Sequence, residues 1–128
     1  MIELDGMAEE DLVELLDRLA IHRRHVAFSG GKVLSKGGMG TLAFPFRFGP
    51  VVGEREIATV GVSYSIPGED HGQPCCPHFA SGRIEQGAQD VVYQGRPVVM
   101  VGHKGSHWPS CGAKRAPAVV VEGWKVAY

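Results

Sequence analysis

Seven of the nine histidine and cysteine residues in this chain fall in two short segments. "EDHGQPCCPH" holds His71, Cys75, Cys76 and His78, and "GHKGSHWPSCG" holds His103, His107 and Cys111. Imidazole nitrogen and thiolate sulfur are the donors a tetrahedral zinc ion accepts, and a three-residue gap lets two side chains of one loop reach the same ion. The steps of four between His103, His107 and Cys111 would align them on one helix face, but Gly102, Gly105, Pro109 and Gly112 argue against a helix there. A metal site assembled from two loops is therefore the expectation. The plainer alternative is a pair of solvated loops with cysteine buried as a small hydrophobe. Side chains of neighbours diverge in extended backbone, so at most one of Cys75 and Cys76 is expected to serve as a ligand.

Other chemistries fit less well. A zinc deaminase pairs H-x-E with a distant P-C-x-x-C. Here Gln73 stands where the glutamate should be, and Pro74-Cys75-Cys76-Pro77-His78 follows at once, so the general acid/base is missing. There is no H-E-x-x-H. Cys76 with His107 can be drawn as nucleophile and base, but any chain with three Cys and six His permits such a pair. Glu69, Asp70 and Glu85 have no context that marks a two-carboxylate hydrolase. "SGGKVLSKGGMG" carries lysines without the spacing of a phosphate loop and reads as a flexible turn.

The elements that must position these residues are mostly β. One helix is expected over residues 8–22. Leu12, Leu15, Leu16 and Leu19 recur at helical spacing, Glu9, Glu10 and Asp11 stand at the N-terminal end, and Arg23 and Arg24 follow the other. Its apolar stripe should bury against its own domain. From Val26 onward, β-branched and aromatic runs such as "KVL", "EIATVGVSY", "DVVY", "PVVMV" and "AVVVEGWKVAY" are bounded by Gly or Pro. "GGMGTLAFPFRFGP" is apolar on both parities and is expected to contribute to the core. Eighteen Gly and eight Pro in 128 residues imply many tight turns between short strands. The length suits one domain with a modest core, divided into an N-terminal helical extension (1–24) and a β domain (25–128).

Composition narrows the partners. A net charge of −1 and a pI near 6.6 give no broad cationic field for nucleic acid, and His22-Arg23-Arg24-His25 reads as the basic end of the helix. The acidic start is no signal peptide, no apolar run reaches the roughly 18 residues of a membrane span, and three cysteines do not suggest a disulfide framework. Synthesis in the cytoplasm without a signal peptide is the expectation.

A weak internal repeat links these parts. "RIEQGAQDVVYQGRPVVMVG" (83–102) reads as strand, Gly turn, strand, Gly-Arg-Pro turn, strand. Its first part returns as "VVVEGWKVAY" (119–128), aligning Ile84 with Val120 and Gly87 with Gly123. Its last part returns as "GEREIATVG" (53–61) against "GRPVVMVG" (95–102), with one inserted residue. The His and Cys clusters sit between the units.

This arrangement resembles the PAAR-repeat family, the conical tip proteins on the spikes of type VI secretion systems and contractile phage tails. Family repeats read roughly I-x-x-G-S-x-x-V-x-I-N-G-x-P-A-A-R-x-G-D, and Ile84, Gly87, Val91 or Val92, Gly95, Pro97 and Gly102 follow that pattern. Val98-Val99-Met100 replaces Ala-Ala-Arg, Ala88 replaces Ser, and His103 stands where Asp is usual. The resemblance covers residues 53–128 well, 25–52 poorly and the helix not at all. It implies a mainly β, small conical fold of short hairpins around a metal site, with one N-terminal helix. It implies one zinc ion, with iron as the alternative, held by His71, His78, His107 and Cys111, where His103, Cys75 or Cys76 are substitutes. The implied function is a non-enzymatic tip that caps a trimeric β-helical spike, one chain per trimer, and acts on a tail or secretion particle. The helix would then be free to contact an effector or the baseplate, and would lie on the flank of the cone or on the spike. A stand-alone zinc-stabilised β adaptor is the alternative, with a metallohydrolase third.

Overall fold

The computed structural model describes residues 1–72, 77–108 and 115–128. The fold is mainly β with one helix. In chain order the elements are β1 (Ile2–Glu3), α1 (Glu9–Ile21), β2 (Lys32–Ser35), β3 (Gly38–Leu42), β4 (Val51–Val52), β5 (Arg55–Glu56), β6 (Ser63–Glu69), β7 (His78–Ile84), β8 (Val91–Tyr93), β9 (Arg96–Pro97), β10 (Lys104–His107) and β11 (Ala116–Val120). No helix among the described residues is long and apolar enough to cross a membrane.

Three extended triplets, residues 26–28, 57–59 and 98–100, close a ring. Phe28 bridges Ile57, Thr59 bridges Val98, and Met100 bridges Val26. At the middle of each triplet the backbone bonds run in cyclic order: Ala58 N–H to Ala27 O, Val99 N–H to Ala58 O, and Ala27 N–H to Val99 O, each 2.9 Å. Every triplet leads into a glycine with positive φ, Gly30 (+84°), Gly61 (+98°) and Gly102 (+97°), a conformation that side chains with a Cβ resist. The N–H groups of these glycines bond to Leu42, Ile84 and Val120 respectively. Three hairpins follow the glycines, β2–β3, β6–β7 and β10–β11, and they close a six-stranded antiparallel barrel in the order β10-β11-β2-β3-β6-β7. The pairs between hairpins repeat in register: Leu42 with Tyr64, Ile84 with Gly105, Val120 with Val33. The chain thus repeats one unit three times around an axis.

Alternation along the ring separates two cores, because successive side chains of an extended strand point to opposite faces. Ala27, Ala58 and Val99 face the barrel with Val33, Leu42, Tyr64, Ile66, Ile84 and Val120. Val26, Phe28, Ile57, Val98 and Met100 face the other way and share a core with Leu12, Leu15, Leu16 and Leu19 of α1. The helix therefore covers the ring face opposite the barrel. It sits neither on a flank nor apart from the β structure, and its four leucines are part of the core. The interior of the barrel is narrow. A Cβ at Gly82 would lie 2.6 Å from both the Tyr64 hydroxyl and Ser106 O, so the Tyr64 ring fills that space only because glycine stands opposite.

The repeat differs from its sequence-based outline. The third ring strand is "HVAFSG", not the C-terminal segment, and the units run through 26–42, 57–84 and 98–120. The Ile84–Val120 equivalence holds in the bonding pattern. Gly49, Gly87 and Gly123 also correspond, since each faces the carbonyl of the first ring residue, Ile57, Val98 and Val26 respectively. The aromatic segment 43–50 departs from the expected core role. Phe46 is half-buried, and Phe44 and Phe48 are exposed. Strand β3 stops at Leu42, and a cis Phe44–Pro45 bond follows.

Candidate metal centre

At the end of the barrel where β2, β6 and β10 finish, ionisable side chains replace apolar ones. Strand β6 alternates with Tyr64 and Ile66 inward, so residue 68 would be next. The register shift between Ile66 and Glu69 inserts an extra residue, with Pro67 and Gly68 outward, and Glu69 turns inward instead. Its side chain is completely buried. Ser35, at the end of β2, donates its hydroxyl to Glu69 Oε2 at 2.8 Å. His107, last residue of β10, points inward with its Nε2 2.6 Å from the same oxygen and a fully buried side chain. His71, just past β6, places Nε2 2.9 Å from Glu69 Oε1, and His78, first residue of β7, places Nε2 3.7 Å from it. The His71 and His78 rings lie 6.3 Å apart.

Glu69, His71 and His107 offer ligand atoms within 4.8 Å of one another, a buried group able to hold a metal ion. The donor set fits a divalent first-row cation, which accepts imidazole nitrogen and carboxylate oxygen. Burial pushes the Glu69 carboxyl up, yet hydrogen bonds from His71, Ser35 and His107 and the charge of His107 outweigh it and hold the carboxyl below its ordinary range. The acid is ionised at neutral pH. Tyr64 bonds to His107 Nδ1 at 2.6 Å. Burial raises the Tyr64 hydroxyl to about 12, helped by the charges of Glu69 and Glu85 and opposed by Arg115. The tyrosine therefore stays protonated. When the His107 ring is neutral with its proton on Nε2 toward Glu69, Nδ1 accepts from Tyr64; when the ring is charged, both nitrogens donate and the Tyr64 oxygen accepts. With Nε2 given to a metal, the proton sits on Nδ1 and Tyr64 oxygen accepts it.

Three of the four expected ligands, His71, His78 and His107, are thus brought together from two distant segments. Cys111 and the substitutes Cys75 and Cys76 lie outside the described residues. His103 is elsewhere: its Nδ1 accepts the Met100 N–H at 2.9 Å beside the ring, and the four residues of β10 put roughly 13 Å between it and His107. Glu69, Ser35 and Tyr64 were not anticipated. Tyr64 and Ile66 show the alternation, but nothing in "SIPGEDHG" fixes which of residues 68 and 69 follows inward, although Pro-Gly within a strand is where a bulge belongs. Comparison with protein-family models, with curated proteins and with solved structures gives no match.

Proposed function

We propose that this chain is the metal-stabilised tip of a contractile injection machine, a PAAR-like cap that sharpens a trimeric β-helical spike. The observation that carries the reading is the closed ring, in which one chain repeats the same backbone bonds three times around an axis. A single chain that meets a threefold end is served by three equivalent faces. The hairpins then rise from the ring toward one buried cluster of Glu69, His71, His78 and His107, which supports zinc, with iron as the alternative, as a fastener at the narrow end. Short hairpins enclose little apolar volume, and a structural ion contributes on the order of 10 kcal/mol to folding.

No turnover is proposed. Glu69 and His107 have fully buried side chains, which favours a structural over a catalytic role. The ring face away from the barrel carries α1, so contact with the trimer is proposed to include the outer side of that helix. The test is to co-express the chain with the trimeric spike protein encoded nearest to it and measure mass in solution. One copy per trimer supports the tip. Three copies per trimer, or no complex, would overturn it.

A further inference from the structure

We infer that Glu69, rather than a cysteine thiolate, supplies the anionic donor of the metal centre, making an N3O site with His71, His78 and His107. The inference rests on the metal-stabilised reading above and specifies its chemistry. Three imidazoles from separate places in the fold, the segment after β6, the start of β7 and the end of β10, aim Nε2 at one carboxylate. A shared cation explains that convergence directly.

The spacing agrees. A tetrahedral ion with metal–donor distances of about 2.0–2.1 Å sets its donors roughly 3.3 Å apart. His107 Nε2 lies 2.6 Å from Glu69 Oε2, and His71 and His78 Nε2 lie 2.9 and 3.7 Å from Oε1, so the distances scatter about that edge across both carboxylate oxygens. The supporting contacts are also of the kind metal ligands have. Ser35 fixes the carboxylate through Oε2, and Tyr64 engages the far nitrogen of His107. Gly37 belongs to the same construction, because a Cβ there would stand 2.9 Å from Glu69 Cγ and from the His71 ring. The β2–β3 tip closes over the carboxylate only with glycine at that position. An oxygen donor in place of sulfur makes the site suited to borderline divalent ions such as Zn2+, Co2+ and Fe2+ and less suited to soft monovalent copper.

The experiment strips the full chain with chelator, adds Co2+, and records the optical spectrum and affinity for wild type, Glu69→Gln and Cys111→Ser. The expected result is one bound Co2+ with no near-ultraviolet thiolate-to-cobalt band. Cys111→Ser should keep its affinity, and Glu69→Gln should bind at least about tenfold more weakly. A thiolate band in wild type that Cys111→Ser removes overturns the inference while leaving a metal-stabilised tip standing. No Co2+ binding by any variant overturns the metal reading itself. The wild-type spectrum decides the donor even if Glu69→Gln fails to fold.

Discussion

His107 serves two partners with one ring, Glu69 on Nε2 and Tyr64 on Nδ1, and all three side chains are buried. Removing it leaves an ionised carboxylate without its shortest partner. Truncating one side of a buried pair costs about 3–5 kcal/mol, whereas losing one hydrogen bond to a charged group costs about 1.5–3 kcal/mol. In metal-free protein, His107→Ala should therefore destabilise more than Ser35→Ala in denaturant titrations. Equal losses would mean that Ser35 anchors the carboxylate as much as His107 does. The second prediction at this scale concerns His103, whose ring is held below the ordinary imidazole range by burial and then by the Arg24 charge. Its Nδ1 accepts the Met100 N–H, which only a ring with that nitrogen unprotonated can do. With the folded value depressed, the unfolded chain takes up the proton first. The contribution is complete above about pH 6.5 and is lost as pH falls, by at most about 1.4 kcal/mol per pH unit. His103→Asn keeps an acceptor without titrating, so its stability should fall less steeply than wild type between neutral pH and pH 5. Parallel profiles would show that His103 is not the sensing group. Histidines are legible as candidate donors from residue type alone, and His71, His78 and His107 do converge on Glu69. Glu69 was hidden because a one-residue bulge reverses which parity of β6 faces inward.

Among the elements, the helix was legible because four leucines at helical spacing have one explanation, and α1 runs within a residue of the expected span with all four buried. The short strands were legible as strands, and a threefold repeat was legible with two of its ring strands, in 53–61 and 95–102, while the third, 26–30, was missed. The ring strands share [V/I]-[A/V]-x-x-Gly in "VAFSG", "IATVG" and "VVMVG", a pattern that the unlike third and fourth residues conceal. Those third residues, Phe28, Thr59 and Met100, face α1 rather than the barrel, and the helix is not threefold, so nothing requires them to match. The segment 43–50 was misread as core because its order comes from a charge. Glu56, buried beside it, accepts the backbone N–H groups of Phe46, Phe48 and Gly49 at 2.8, 2.9 and 3.2 Å and the Ser29 hydroxyl at 3.2 Å. The carboxylate does for this loop what an apolar anchor would do elsewhere, and Phe44 and Phe48 are free to face solvent. Glu56→Ala should cost roughly 3 kcal/mol, since several charge-assisted bonds vanish together. Limited proteolysis should then cut within 43–50 while metal affinity at the barrel tip is unchanged. A protease-resistant loop in the variant would place its order in the aromatic contacts instead.

For the whole molecule, the decisive feature is how α1 lies across the ring. It is tied to the segment that follows each of the three repeats. Glu9 accepts the Gly53 N–H beside β4–β5, Asp17 accepts the Trp124 indole N–H and lies 3.0 Å from the Lys125 ammonium, and Arg24, just past the helix, forms a two-bonded pair with Asp90 before β8. Strand β1 adds to this by pairing in parallel with β8. These polar ties are largely exposed and fix orientation more than they stabilise. The stabilisation comes from Leu12, Leu15, Leu16 and Leu19, which are 1–7% exposed against Val26, Phe28, Ile57, Val98 and Met100. A buried Leu→Ala change costs about 2–5 kcal/mol, so four such contacts are worth roughly 8 kcal/mol even at the low end. That compares with about 5–15 kcal/mol for the whole stability of a domain. The β part should therefore not stand alone, despite its closed barrel. Residues 25–128, expressed without the first 24, should lose the cooperative melting transition or associate through the uncovered ring face, even with metal supplied. A peptide of residues 1–24 added in trans should restore a monomer with the full-length transition. If instead 25–128 melts at the temperature of the full chain as a monomer, the ring and barrel hold themselves together and α1 is a removable attachment, leaving the threefold face open to a trimeric partner.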